Sequence, residues 1–155
     1  MKEEVKFRWI IGVIAILAIL ALIYSIKSTS RIGGLAPFEK ELPKNMNEVN
    51  SISENLLQAI NNKDYPLFSR DFSQGMKLTL KQDVFSQTIQ LLEDTSGKYI
   101  SKEPSKFYEY GPYKIYQYVC SFEKENVTMT LSLNSSLVEG LYFDSDNLMK
   151  LENGK

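Results

Sequence analysis

Histidine is missing from all 155 residues of this chain. Imidazole is the side chain most often used for proton transfer near neutral pH, and it is the commonest metal ligand. Its absence removes many acid–base enzymes and metal sites from consideration. The chain also lacks a phosphate-binding loop, paired CxxC motifs, an HExxH motif, a calcium loop and the G-x-S-x-G motif of hydrolases. We therefore predict no catalytic residue, no cofactor and no metal ligand.

Cysteine occurs once, at Cys120, so the chain cannot form a disulfide within itself. Its neighbours in the run YVCSF are typical of a buried strand, and burial opposes formation of the reactive thiolate. We therefore expect Cys120 to be a small core side chain.

An excess of positive charge is also lacking, because 18 basic residues face 19 acidic ones and the formal net charge is -1. A protein that binds along a nucleic acid needs a basic surface, so no nucleic-acid partner is predicted. The length, with 43% hydrophobic and 24% charged residues, fits one globular domain plus an appendage.

The appendage is the longest uncharged run of the chain. Residues Trp9 to Ile26 read WIIGVIAILAILALIYSI, and eighteen residues at about 1.5 Å each come close to crossing a hydrocarbon layer of about 30 Å. Three basic residues precede this run, so residues 1–8 are predicted to form a short cytoplasmic tail. Because a cleaved signal peptide usually has a shorter apolar region, an uncleaved transmembrane signal anchor is favoured over a processed signal.

A stalk and a folded domain are expected beyond the anchor. Residues 27–46 contain the pair Gly33-Gly34 and two prolines, which indicate a semi-flexible tether. Residues 47–155 would form the folded domain. The predicted location is the cell membrane, crossed once through Trp9 to Ile26, with the folded domain extracytoplasmic.

The first half of the domain is predicted to be helical. Apolar residues recur at steps of three and four from Val49 to Ile60, and Ser51 to Glu54 matches the S-x-x-E capping pattern. The following stretch, NNKDYPLFSRDFSQGM, predicts a second, short helix, for which Asp64 is a typical N-cap. A third helix is expected to end at Ser96-Gly97.

The second half of the domain changes to a period of two, and three turns divide it into four strands. Alternation places Tyr116, Tyr118, Cys120 and Phe122 on one side of the second of these strands. The first strand is expected within KYISKEPSKFYEY, where Pro104 should mark a bulge or an edge because proline cannot donate a ladder hydrogen bond.

Helices followed by an antiparallel meander predict an α+β fold, with N-terminal helices packed on a curved four-stranded sheet. The other sheet face would be mixed in character, because Ile115 and Val119 alternate with polar side chains. Such a face suits a small apolar ligand, a protein partner or a second copy of the chain. The last strand, LVEGLYFD, has apolar residues at both parities, so its register stays open.

Three pieces of the sequence carry a family resemblance: NNKDYPLFSRDFSQGMK, SGKY and VEGLYFD. Together they resemble an uncharacterised domain-of-unknown-function family in the nuclear transport factor 2-like group, whose members are often exported and anchored to membranes. The resemblance spans about Val49 to Asp144. It implies a cone-like, cystatin-like α+β fold, sometimes built around a pocket. The wider group includes ketosteroid isomerase-like enzymes with an aspartate base, but no aspartate here matches that base.

Aromatic side chains are the best candidates for a ligand pocket, because tyrosine combines an apolar body with a polar tip. The candidates are Tyr65, Phe68, Tyr116, Tyr118 and Tyr142. Asp64, Asp71 and Asp83 are the carboxylates that an isomerase would use, but their positions favour helix caps and solvated faces.

Two N-x-S/T sequons lie in predicted hairpin turns, at Asn126 and Asn134, and are candidate glycosylation sites. For function, the sequence favours a membrane-tethered, non-catalytic binding or protein-interaction module. The alternatives are a small isomerase-like enzyme with a buried carboxylate and a tyrosine pocket, and an accessory subunit of a membrane complex.

Overall fold

The computed structural model describes residues 38–153 of the chain, with side chains given to residue 150. The tail, the predicted anchor and residues 27–37 of the predicted stalk lie outside this range. Within it, no helix combines the length and apolar character needed to cross a membrane.

Five strands and five helices make up the described part of the chain. The strands are β1 (Phe38–Lys40), β2 (Tyr99–Tyr110), β3 (Tyr113–Phe122), β4 (Asn126–Asn134) and β5 (Leu137–Asp144). The helices are α1 (Asn47–Asn62), α2 (Tyr65–Phe68), α3 (Gln74–Thr79), α4 (Gln82–Thr95) and α5 (Asp146–Asn153).

The sheet is an antiparallel meander in the order β1-β2-β3-β4-β5, so the predicted α+β fold and the four-strand meander are confirmed. The strand count is corrected from four to five. The extra strand, β1, pairs with Phe107 to Glu109 at the edge of β2. It was missed because it has only three residues and lies in the range expected to form the stalk, between Pro37 and Pro43.

The helix α1 begins at Asn47, earlier than the capping pattern indicated. Ser51 and Glu54 therefore lie inside the helix, and the S-x-x-E match was not a cap. By contrast, the predicted cap of α2 is confirmed, because the Asp64 carboxylate accepts a hydrogen bond from the Leu67 N–H at 2.9 Å. The short helix α3 and the C-terminal helix α5 were not predicted.

The core lies between the helices and one face of the sheet. The side chains predicted for one side of β3 do face this core, and they meet the alternating apolar residues of β4. Its central sheet side chains are fully buried, namely Tyr118, Cys120, Val127, Met129 and Leu131. The pairing of β4 with β5 shifts register between Ser132 and Leu133 of β4. This bulge sets the register of β5, which the sequence left open. As a result, Leu141 and Phe143 lie opposite core residues of β4.

The strand β2 is irregular along the part that β1 does not cover. Its pairing with β3 shifts register after Tyr99 and again after Pro104, so the prediction of a bulge or edge at this proline is confirmed. At the far end of β2, the Asn61 side chain exchanges two hydrogen bonds with the Tyr99 backbone, at 2.8 and 3.0 Å. This amide takes the place of a neighbouring strand, and the bulges and proline discourage further strand pairing.

Candidate functional site

The sheet face opposite the helices, called the open face, carries both apolar and polar side chains. Val119 on β3 is 39% exposed, and its neighbour Ile115 is partly exposed. The other open-face side chains of β2 to β5 include Tyr108, Gln117, Thr128, Thr130 and Tyr142. Apolar and aromatic groups are thus interleaved with hydroxyl and amide groups, as in many protein contact surfaces.

The centre of the open face is held in place by cross-strand contacts. Gln117 donates a hydrogen bond through Nε2 to the Thr130 hydroxyl at 3.2 Å. Thr130 is itself 9% exposed because Tyr142 lies directly opposite it on β5. The face is therefore an ordered platform built on paired strands rather than a set of independent side chains.

Three of the predicted pocket residues on the helix side are core side chains. Phe68 is 2% exposed, Tyr116 7% and Tyr118 0%, and all three belong to the hydrophobic core. The hydroxyl of Tyr118 donates to Asn50 Oδ1 at 3.0 Å, and burial raises the pKa of this phenol to about 12. These side chains pack the fold together.

Tyr65 and Tyr142 are the two candidates that keep partial exposure. The Tyr65 ring packs against Phe85 with ring centres 5.6 Å apart, and its hydroxyl donates to the Leu80 carbonyl at 2.9 Å. Tyr142 belongs to the open face. The five candidates are therefore divided between two sides of the sheet, and the structure does not bring them together into one site.

A shallow pocket of about 210 Å³ lies on α4. Lys63, Phe85, Ser86, Ile89 and Gln90 line it. This volume is below the range of about 300–1,000 Å³ that is usual for small-molecule sites. The pocket offers a ligand little enclosure.

A polar seam between α1 and β2 was missed by the sequence reasoning. The side chain of Lys102 is only 10% exposed, and its Nζ lies 3.6 Å from Glu54 Oε2 and 5.0 Å from the centre of the Tyr118 ring. Tyr99 donates to the same Glu54 oxygen at 2.9 Å, and Gln58 donates to the other at 3.0 Å. The register aligns Lys102 with Cys120 and Pro104 with Tyr118, so the bulge next to Pro104 places this lysine on the core face. The sequence signalled the bulge but not its effect on Lys102.

The electrostatics of the seam favour a structural role over acid–base chemistry. Burial raises the pKa of Glu54, but hydrogen bonds from Gln58 and Tyr99 and the charge of Lys102 together outweigh it, so the pKa lies below its usual value. Burial and the Glu54 carboxylate raise the pKa of Tyr99 well above its usual range. A general base near neutral pH needs a raised carboxylate pKa, and a tyrosine acid needs a lowered one. Both shifts have the wrong sign.

The three candidate carboxylates of the sequence analysis lie at helix starts or on the surface. No Asp or Glu among residues 38–150 is buried. Asp64 caps α2, Asp71 pairs with Arg70 at 2.8 Å, and Asp83 lies in the first turn of α4. In the same part of the chain, no group of three or more Cys, Asp or Glu side chains is arranged to hold a metal ion.

The two sequons lie at opposite ends of the sheet. Asn126 is exposed at the start of β4, whereas Asn134 is partly buried at its end. Asn134 pairs with Tyr113 on one side and Leu137 on the other. Of the two, Asn126 is the more accessible to a modifying enzyme.

These features define a small α+β domain with helices on one face of a five-stranded antiparallel sheet and an ordered, mixed open face. A family described as proteins of unknown function, DUF3887, matches residues 53–138, and the chain belongs to this family. No curated protein and no solved structure matches the chain.

Proposed function

We propose that this protein is a membrane-tethered, non-catalytic interaction module that binds a protein partner through the open face. The anchor would be the apolar run Trp9 to Ile26, which would leave the folded domain outside the cytoplasm. We also infer that the fold belongs to the nuclear transport factor 2-like group. The packing of α1 and α4 on one face of an antiparallel sheet supports this assignment.

The observation that carries the proposal is the contrast between the two sheet faces. On the helix side, central residues such as Tyr118 and Met129 are 0% exposed, whereas Val119 on the open face is 39% exposed. What suits the open face to a protein contact is the set of apolar and aromatic side chains, Val119, Ile115 and Tyr142 among them, interleaved with polar groups on paired strands.

The size of the open face bears on the strength of such a contact. Four strands about 4.8 Å apart, with about eight steps of 3.4 Å along each, give a face on the order of 500 Å². Two such faces would bury on the order of 1,000 Å², the lower end of specific protein interfaces. We therefore expect a weak or transient contact, which tethering in a membrane would strengthen by raising the local concentration.

The isomerase-like alternative has less support. It requires a buried carboxylate of raised pKa, whereas none of the carboxylates of residues 38–150 is buried and the pKa of Glu54 is lowered. The accessory-subunit alternative is a particular form of the proposal, in which the partner belongs to a membrane complex.

The proposal is tested by placing a photo-crosslinking amino acid at Val119 in the full chain in its native membrane. The matched control carries the same group at Leu91, a 45% exposed residue on α4. We expect a discrete adduct from position 119 and none from position 91. A second chain with Ile115→Arg beside the crosslinker should lose the adduct, because the arginine disrupts the apolar centre.

The mass of the adduct distinguishes a second copy from a different protein. Equal adducts from positions 119 and 91, or none from position 119 in a correctly folded chain, would refute binding through the open face. A crosslink from position 119 to lipid or to a small apolar ligand, without any protein adduct, would show that the open face binds a ligand and not a protein.

A further inference from the structure

One end of the sheet differs in chemistry from the other. Tyr110 and Tyr113 face each other at the β2–β3 turn, and the same row continues through Asn134 to Leu137 on β5. Phe38 starts β1 one row further in, paired with Glu109. We call the group Phe38, Tyr110, Tyr113 and Leu137 the hairpin end.

The hairpin end exposes large apolar groups. Phe38 is 72% exposed and Leu137 47%, while Tyr110 and Tyr113 are partly exposed. The hydroxyls of Tyr65, Tyr99 and Tyr118 all donate hydrogen bonds inside the domain. Among residues 38–150, the hydroxyls of Tyr110 and Tyr113 have no such partner. Exposed rings with free polar tips are suited to a boundary between an apolar and a wet layer.

The turns at the two ends of the sheet show the same contrast. Gly111-Pro112 and Ser135-Ser136 form the turns at the hairpin end, and neither contains a charge. The turn at the opposite end, between β3 and β4, is Glu123-Lys124-Glu125. An end that inserts into an apolar layer must avoid charges in its outermost residues, and only the hairpin end meets this requirement.

The hairpin end is also where the chain arrives from the predicted anchor. Phe38 begins the described domain, and residues 27–37 separate it from Ile26. Eleven residues extend over about 40 Å at most. If the apolar run is in the membrane, the hairpin end is thus held within reach of the lipid surface.

We propose that the hairpin end rests in the headgroup layer of the membrane, with Phe38, Tyr110, Tyr113 and Leu137 entering the boundary between headgroups and acyl chains. This contact depends on the membrane tether of the proposed function but not on the partner of the open face. Aromatic side chains are enriched at this depth of membrane proteins.

Charge makes little contribution to the contact. Lys40 and Lys114 lie near the hairpin end, but so do Glu39 and Glu109, and Lys40 is paired with Glu109. The nearby charges roughly cancel, so anionic lipid is not required. The bound surface would be a neutral bilayer held by apolar and aromatic insertion.

The test uses the full chain reconstituted in phosphatidylcholine vesicles. A nitroxide is attached to Tyr113→Cys at the hairpin end or, as the matched control, to Asn126→Cys at the opposite end of the sheet. Native Cys120 is 0% exposed, and burial raises the pKa of its thiol to about 12, so it should not react. The accessibility of each label to oxygen, which concentrates in lipid, and to a water-soluble nickel complex is then measured.

We expect the label at position 113 to lose access to nickel and gain access to oxygen, while the label at 126 stays in water. Phe38→Ser in the labelled chain should restore nickel access at 113 without unfolding the domain, because Phe38 is largely exposed. Adding phosphatidylglycerol should leave the position-113 signal unchanged. A strong increase in lipid contact with anionic lipid would overturn the neutral, insertion-based contact.

The only tryptophan, Trp9, separates failure of the contact from failure of the tether. Quenching of Trp9 by brominated lipid, with both labels equally accessible to nickel, would overturn the hairpin-end contact and leave the tether intact. Absence of Trp9 quenching would overturn both. A label at 113 shielded from both reagents would indicate a protein partner and would also overturn the proposal.

Discussion

Replacing Glu54 with glutamine should destabilise the domain more than replacing its ionic partner, Lys102, with methionine. Glutamine keeps the size of Glu54 and an oxygen for the Tyr99 hydroxyl, but it leaves the ammonium of Lys102 without its counter-charge. Because the Lys102 side chain is 10% exposed, water compensates poorly for this loss. In Lys102→Met, the remaining carboxylate is on a side chain that is 44% exposed, so it can be solvated.

The magnitude follows from the geometry of the pair. Two unit charges 3.6 Å apart attract by about 4–5 kcal/mol at an effective dielectric constant of about 20. Exposure of Glu54 and the cost of desolvating Lys102 offset most of this attraction. We therefore expect Glu54→Gln to lower the free energy of unfolding by about 1–2 kcal/mol. For a domain of this size, the midpoint temperature of thermal unfolding would fall by about 4–8 °C.

Thermal denaturation of the full chain in detergent, followed by circular dichroism, measures both single variants and the double variant. The double variant should cost no more than Lys102→Met alone, since no unpaired ammonium remains. The pKa of Glu54 is lowered in the folded state, so its contribution is present above its unfolded pKa and disappears as pH falls through the folded pKa. Additive single effects, or a Glu54→Gln cost that persists unchanged in strong acid, would refute the electrostatic coupling of Glu54 to Lys102.

Three further results are expected. Leu131→Ala, at a residue that is 0% exposed, should cost about 2–5 kcal/mol in urea denaturation, whereas Leu91→Ala on the surface should cost well under 1 kcal/mol. Glu125→Gln should speed hydrogen exchange at Asn147 and Leu148, because the Glu125 carboxylate accepts hydrogen bonds from Ser96, Ser145 and the Asn147 N–H; equal exchange rates would contradict this. In a glycosylating host, mass spectrometry should find sugar at Asn126 and not at Asn134, which is partly buried at the hairpin end.

The regular parts of the fold could be predicted because local patterns dictate them. Alternation in β3 put Tyr118 on the same side as Cys120, which was expected in the core, and the cap at Asp64 was visible from residue type alone. The strand β1 carries only three residues and no alternation, so its existence depends on the distant β2 edge that it joins. The helix α5 depends in part on Glu125, 22 residues before Asn147, and sequence distance hides such a contact.

The candidate site was harder to predict for a related reason. Tyrosines suggested a pocket, but which sheet face a tyrosine occupies depends on register, and register separated Tyr118 from Tyr142. The seam of Glu54 and Lys102 could not be found from spacing, because a bulge changes the parity of β2 on the way to Lys102. A proline inside an otherwise regular strand was the one available signal that parity should not be trusted there.

Under the proposed membrane tether, the irregular outer edge of β2 has a further consequence. Copies tethered in a two-dimensional layer meet often and in similar orientations. A flat, unpaired strand edge would therefore allow sheets of neighbouring copies to pair edge to edge into filaments. The Asn61 side chain occupies the backbone groups of Tyr99, and Pro104 with its neighbouring bulge interrupts the rest of the edge. Strand pairing along this part of β2 is thereby discouraged, which favours contacts through the faces of the domain that close on themselves and can come apart again.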